Sequence, residues 1–546
     1  MKLVAQTLFL FLGLGPVLAY SQGLQAPPKF KHVIVVFQEN RTPDNLFQGL
    51  LTWPGIDPKK YDIQPSGMVA GTCKNPQAPS IAGGTYDPAT CSITGGTQEN
   101  RCLEPQPLAG GYDPSHSHCA FLTMYDSGKM DGAGFVKDNC HKAKNCTGNG
   151  AGQFLSYKFT PNIQHRLDPY LQIAAEYGWA NRMFQTNQGP SFPAHQYLFG
   201  GTSAQTAADD KKAAFIAENP GGIMIAHHAY PGCLSPPQES NRVVSPLPSG
   251  EQCPAGCTCY SNGSKECKIT QGTEHNLCFD HPTLATLLDQ HQLSWKYYAP
   301  SQGSIWNAPH SIKEVCQPDY TTGKCTGPDY NNVDFNLTHV VGDINDSSCK
   351  LAAVSWVIPD GQCSDHAAVS RAGGPAWVAS IVNAVGQSKC NYWKDTAIVI
   401  TWDDWGGWYD HAKPPVLPGI QGDYQLGFRV PLLVVSAYTK PGTVSDAERD
   451  FGSILRFIEE NFNLGVGSLG FADARAHHGL DEFFNQSAGD FRMIQAPPVP
   501  PFCTMAPGQG VAPDDDAEEG SAPSTSDVPQ PQRRNRRQRQ GQPVAN

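Results

Sequence analysis

The eleven residues Thr401–His411, TWDDWGGWYDH, carry three aspartates, a histidine, three tryptophans and two glycines directly after an apolar run. Adjacent carboxylates at the end of a buried strand cost free energy unless a cation holds them. Asp403 and Asp404 therefore read as hard oxygen ligands of a divalent cation. Gly406 and Gly407 let the backbone come close beside them. One aspartate alone at a strand end would read as a loop cap or an ion-pair partner. The doubled acid followed by the doubled glycine points to a metal.

Three further segments supply matching chemistry. QENRTPDNLF places Glu39 and Asn40 together, a carboxylate and an amide oxygen, both hard ligands; by itself Asn40 would read as a turn cap. NQGPSFPAHQYLFGGTS, residues 187–203, sets Ser191 between Gly-Pro and Phe-Pro at the expected start of a short helix. Backbone N–H groups and the helix dipole favour a phosphate there. Alone, Ser191 is more simply an N-cap, but a metal acidifies a bound hydroxyl into a nucleophile. Histidines suited to neutralise phosphate oxygens or protonate a leaving group stand at His116, His118, His195, His366 and His411.

The elements that must hold these groups alternate. KHVIVVFQEN, SWKYYA, AAVSWVIPD, DTAIVITWDDW and RVPLLVVSA read as strands, several of them apolar throughout. LDPYLQIAAEYG, HPTLATLLDQHQ, GPAWVASIVNAVGQS and DAERDFGSILRFIEENFNL read as helices. Such alternation predicts an α/β fold, a mostly parallel central sheet with helices on both faces. Ligands gather beyond the carboxyl ends of strands in such sheets, where Glu39, Asn40, Asp403 and Asp404 stand.

Taken in order, HVIVVFQENRTPDNLF, GPSFPAH, TWDDWGGWYDH and GFRVPLLVVSAY resemble the segments of a secreted bacterial phosphoesterase family that includes phosphatidylcholine-type phospholipases C and an acid phosphatase branch. The resemblance runs from about Lys31 to Phe484. It implies an alkaline-phosphatase-like α/β/α sandwich and one divalent metal ion of unknown identity, held by Glu39, Asn40, Asp403, Asp404 and Ser191. It implies Ser191 as nucleophile through a phosphoseryl intermediate. His118, His195, His366 and His411 would line the phosphate site, with His118 taken over His116 for its spacing to GKMDG. Thr42-Pro43 and Asn45 depart from the family's ENRSFDHxFG pattern beside the ligands, which bears on substrate preference.

The net charge of −11 resides in the body, since the leader and the tail nearly cancel. That excludes non-specific nucleic-acid binding, so an anionic substrate needs a local positive centre. MKLVAQTLFLFLGLGPVLAYSQG has a charged start, a short apolar stretch and a small-residue cleavage site, which predicts a Sec-type signal peptide over residues 1–19 and export without a membrane anchor. The 18 cysteines allow up to nine disulfides in an oxidising compartment. Cys253, Cys257, Cys259, Cys267 and Cys278 lack paired Cys-x-x-Cys spacing and favour a disulfide-stapled loop over a zinc cluster. The expected organisation is a catalytic domain over 31–490, with Gly-, Pro- and Cys-rich insertions over about 50–160 and 205–280. A disordered tail, acidic then basic, covers 504–546.

The chemistry expected is hydrolysis of a phosphate ester, a small phosphomonoester or a phospholipid headgroup, with a slight lean toward soluble esters. The alternative is a secreted binding protein on an inactive hydrolase fold, which loss of Ser191, Asp403 or Asp404 would favour; all three are present. A sulfatase would need a Cys/Ser-x-Pro-x-Arg signature, and no convincing one is found.

Overall fold

The computed structural model describes residues 29–87, 90–138, 154–219, 232–234, 243–244, 257–259, 266–269, 277–319, 321–418 and 423–504. The expected signal peptide, Cys253, the side chains of Cys257, Cys259 and Cys267, and the tail from 505 lie outside the described residues.

Eight strands form the central sheet: β1 His32–Gln38, β2 Gly178–Ala180, β3 Trp295–Tyr298, β4 Val333–Asp334, β5 Val354–Val357, β6 Thr396–Trp402, β7 Leu432–Val435 and β8 Thr443–Ser445. Their spatial order is β4-β3-β5-β1-β6-β7-β2-β8. Neighbours are parallel throughout except at β7, which runs against both β6 and β2. β1 lies between β5 and β6, with Val33 opposite both Val354 and Ala397 and Gln38 opposite Trp402. Every residue of β6 is buried, as a strand covered on both faces requires.

Seven helices matter to the site: α1 His118–Tyr125, α2 Asp168–Glu176, α3 Ser191–Gly200, α4 Leu284–Gln290, α5 Thr338–Asn345, α6 Gly374–Gln387 and α7 Phe451–Phe462. Side chains alternate across a strand, so Phe37 and Gln38 face opposite sides. The Phe37 ring meets His195 of α3 at 5.5 Å, whereas Trp402, paired with Gln38, meets Tyr170 of α2 at 5.2 Å. Helices α2 and α3 therefore cover opposite faces. α2 packs with α6 and α6 with α5; α3 packs with α7 and α4. The result is the expected α/β/α sandwich with a mostly parallel sheet.

The first insertion has more structure than its composition suggested. Hairpins Ala78–Ala82/Thr97–Arg101 and Thr85–Asp87/Ser92–Thr94 lie beside α1, stapled by Cys73–Cys102 and Cys91–Cys119. Ala78, Phe121, Met124 and Tyr157 bury a small core of their own against Trp405 and Tyr409, beside the aspartate loop. Within the second insertion, Phe215–Ile216, Val243–Val244, Glu266–Ile269 and Cys257–Cys259 form a small antiparallel sheet, and Cys233 is bonded to Cys278. Cys316–Cys325, Cys349–Cys390 and Cys363–Cys503 complete the disulfides among the described residues.

Candidate active site

The carboxyl ends of β1 and β6 are adjacent, so Glu39 and Asn40 leave the sheet beside Asp403 and Asp404. Asn40 turns into the left-handed region at φ 60°, a conformation asparagine tolerates better than most residues. That turn aims its N–H at Asp403 Oδ1, 3.0 Å away. Asp404 Oδ1 accepts from Gly406 N–H at 2.6 Å. Gly406 has φ 62°, and a Cβ there would stand 2.4 Å from Asn40 O; one on Gly407, at φ 67°, would stand 2.5 Å from Ser115 O. The paired glycines thus bring the aspartate loop onto the other ligand segment and onto the loop that carries His116.

Ser191 is the first residue of α3. Its loop is fixed by Gln185 and Asn187, whose side-chain amides both donate to Gly189 O, at 3.0 and 2.7 Å. Gln185 Oε1 also accepts from Trp405 N at 3.2 Å, which ties the serine loop to the aspartate loop. Ser191 Oγ lies 3.1 Å from Glu39 Oε2, 3.3 Å from Asp404 Oδ2 and 3.4 Å from Asn40 Oδ1. Ser191, Glu39, Asp403 and Asp404 are all 0% exposed, so their mutual repulsion has no solvent to relieve it. Burial, then Asp403 and Asp404, pushes Glu39 well above the usual carboxylate range. Burial, then Asp403, does the same to Asp404, against the opposing pull of His116 and His366. A set of hard oxygens converging on one hydroxyl fits a divalent cation. Glu39, Asn40, Asp403, Asp404 and Ser191 would hold it, and Asp403 Oδ1 also braces Asn40.

The histidines separate into different roles. His116, set aside in the sequence reading, reaches the ligands: its Nε2 accepts from Asn40 Nδ2 at 3.1 Å and its Nδ1 donates to Pro114 O at 2.9 Å. This leaves Asn40 Oδ1 turned toward Ser191. His366 donates from Nδ1 to Ala367 O at 2.7 Å, and its ring stands 6.0 Å from that of His116. His118 is held differently, with Nδ1 on Gln188 O at 3.0 Å and its ring stacked on Phe121. His195 meets a ligand rather than an open wall, with Nε2 3.0 Å from Glu39 Oε1.

His411, expected to line the phosphate site, lies within a cluster of carboxylates. Its Nδ1 lies 2.7 Å from Asp44 Oδ2 and its Nε2 3.1 Å from Asp62 Oδ1, so both ring nitrogens are committed to carboxylates. Arg429 completes this cluster, donating to Asp410 Oδ2 at 3.1 Å and Asp62 Oδ2 at 3.1 Å. The cluster clamps the far end of the aspartate loop to the residues that follow Asn40. The N–H groups after Ser191 are also spoken for. Phe192 N–H donates to Asn219 Oδ1 at 2.9 Å, residue 193 is proline, and Ala194 N–H returns to Pro190 O at 3.4 Å.

Thr42, Pro43 and Asn45, the departures beside the ligands, serve local structure. Thr42 caps the turn Pro43–Leu46 by accepting from Asn45 N–H, and Asn45 Oδ1 accepts from the buried Arg41 at 3.1 Å. Trp402, Trp405 and Trp408 are all buried; Trp405 lies 6.2 Å edge-on from His116, and Trp408 carries the Arg41 guanidinium 5.3 Å from its ring centre.

Among proteins similar to this chain are a non-hemolytic phospholipase C of Burkholderia pseudomallei, 33% identical over 21% of the chain and 19% of that protein, and phospholipase C A of Mycobacterium tuberculosis, 33% identical over 22% and 27%. The non-specific phospholipase C6 of Arabidopsis thaliana is 33% identical over 20% of the chain and 25% of its own length. The matched stretches thus span about a fifth to a quarter of these relatives. A solved protein of the alkaline phosphatase superfamily from Vibrio parahaemolyticus is similar at a TM-score of 0.26 and 11% identity, over 57% of this chain and 65% of that one. The model of the phosphoesterase family matches residues 30–465, which takes in the Glu39–Asn40 and Asp403–Asp404 segments and the serine loop, and the chain belongs to that family.

Proposed function

We propose that the chain is an exported, metal-dependent phosphoesterase that hydrolyses phosphate esters with Ser191 as nucleophile. The observation that carries this reading is the convergence of Glu39 Oε2, Asp404 Oδ2 and Asn40 Oδ1 within 3.1–3.4 Å of a single buried hydroxyl. One hydroxyl proton serves one acceptor well, so three oxygens around it are explained by what else they hold. A divalent cation bound there supplies the positive centre that an acidic body lacks and lowers the pKa of the serine hydroxyl.

The chain's own residues do the rest. Ser191 Oγ attacks phosphorus, its proton passing toward the carboxylate oxygens beside it. The new O–P bond forms as the bond to the alcohol breaks. Water then cleaves the phosphoseryl ester, releasing phosphate from a monoester or a phosphorylated headgroup from a diester. His116 orients Asn40 through its Nε2 and, with His366, offsets the charge of Asp404. The tryptophans around the loop keep the site dry, where such charges act most strongly. The predicted signal peptide and the disulfides fit an oxidising compartment.

Purified mature protein and its Ser191→Ala variant, assayed on p-nitrophenyl phosphate and p-nitrophenylphosphorylcholine with and without chelator, test the reading. Release of nitrophenol that needs both Ser191 and a divalent cation is expected, and the preferred ester places the protein as phosphomonoesterase or phospholipase C. Full activity in Ser191→Ala, or none on either ester with any added metal, overturns it.

A further inference from the structure

The serine loop is roofed by residues 215–219. A Cβ on Gly189 would stand 1.8 Å from Ala217 O, so the two backbones are in direct contact two residues before Ser191. Glu218 Oε1 accepts from His118 N–H at 3.1 Å. Asn219 follows, 7% exposed, with Oδ1 on the N–H of Phe192, the residue after the nucleophile. An N–H can bond only the oxygen end of the amide, so this contact fixes which way the side chain points. The other end, Nδ2, is buried and has no partner among the described residues. A buried amide nitrogen without an acceptor calls for an explanation, and here it belongs to the side chain that holds the N–H next to the serine that would carry an anionic phosphoryl group.

We propose that Asn219 is a phosphate-binding residue, its Nδ2 donating to a non-bridging oxygen of the phosphoryl group at Ser191. The inference rests on the phosphoesterase reading and deepens it. Asn219 takes the place that free N–H groups at the start of α3 would otherwise fill. It occupies the Phe192 N–H with its acceptor and presents its own donor instead. The donor is neutral and already held in place, so it favours the charge that grows on the phosphoryl oxygens without itself adding charge beside the metal ligands.

Two substitutions separate binding from a merely structural role. Asn219→Asp keeps an acceptor for Phe192 N–H and nearly the same shape, but replaces the donor with a carboxylate oxygen. Asn219→Ala removes both. The measurements are kcat/KM on p-nitrophenyl phosphate, inhibition by inorganic phosphate, and thermal melting, with wild type and Ser191→Ala run alongside. Expected are a loss of about 10²-fold in kcat/KM for Asn219→Ala, at least as large a loss for Asn219→Asp, and weaker phosphate inhibition in both at a wild-type melting temperature. Wild-type kcat/KM and phosphate inhibition in Asn219→Asp would overturn the proposal, because the acceptor alone would then suffice. Should Asn219→Ala fail to fold, Asn219→Asp decides alone. A failure of the phosphoesterase reading shows earlier and separately, as an inactive wild type or a fully active Ser191→Ala, and overturns both.

Discussion

His195 Nε2 lies 3.0 Å from Glu39 Oε1, while Ser191, one helical turn earlier, sets its Oγ 3.1 Å from Glu39 Oε2. Positions four apart share a helix face, so α3 grips both oxygens of one carboxylate with two side chains. The imidazole is held edge-on by Phe37 at 5.5 Å and stacked by Trp306 at 6.2 Å. Burial lowers its pKa to about 4, which keeps it neutral at ordinary pH. A neutral donor orients Glu39 without cancelling the charge that a cation needs. On this geometry His195 would act as a positioning residue behind the proposed ligands.

His195→Ala is therefore expected to raise the divalent-cation concentration for half-maximal phosphoesterase activity about 10–100-fold, the usual cost of losing an outer-sphere partner. His195→Gln, which retains an N–H donor, should recover part of that loss. The check is a metal titration of activity in each variant. An unchanged half-saturation point in His195→Ala would mean that the contact packs the helix and nothing more.

The segments that carry the proposed ligands were legible because each one ends a recognisable apolar strand or opens a short helix, so type and position agreed locally. The sequence favoured His118 over His116 on spacing alone, because both sit in the same polar stretch. What separates them is a bond from His116 to Asn40, 76 residues away. His411 shows the same limit: its partners Asp44 and Asp62 lie more than 300 positions earlier. Strands β2, β4 and β8 have two or three residues each, too few to show a period. The reversal of β7 is invisible in LLVV, whose composition suits either direction. Asn219 falls at the edge of a segment that reads as featureless loop, and only its bond to Phe192 marks it.

The His411 cluster gives the aspartate loop a pH-dependent anchor. Burial opposes charging of the ring, but the charge and hydrogen bond of Asp44, then the bond to Asp62, outweigh it and push His411 up to about 10. A raised histidine pKa stabilises the fold fully below the unfolded value near 6.5 and loses that contribution as pH climbs through about 10. Wild type should accordingly melt well above His411→Gln near pH 6, with the gap closing between pH 6.5 and 10. Melting curves for both proteins across that range decide it, and a gap that stays constant would show that the ring acts through shape alone.

Glu459, near the end of α7, carries the opposite sign. Gly467 N–H donates to its Oε2 at 2.7 Å, while Asp473 lies beside it with backbone N–H groups of Leu469, Gly470 and Phe471 on its own oxygens. Burial, then the charge of Asp473, raises Glu459 to about 8, so the fold holds a neutral carboxyl there. Between the unfolded value near 4.5 and about 8 the native state binds the extra proton, and stability falls as pH rises through that window. Glu459→Gln keeps the shape, stays neutral at every pH and offers Asp473 a permanent donor. It should match wild type near pH 4.5 and gain on it above pH 8, by on the order of 1 kcal/mol after solvent screening. The gain should appear in denaturant unfolding at pH 8.5 and vanish at pH 4.5. A variant equally stable with wild type at both pH values would mean that the loop from Leu464 to Phe471 relaxes enough to solvate the ionised pair.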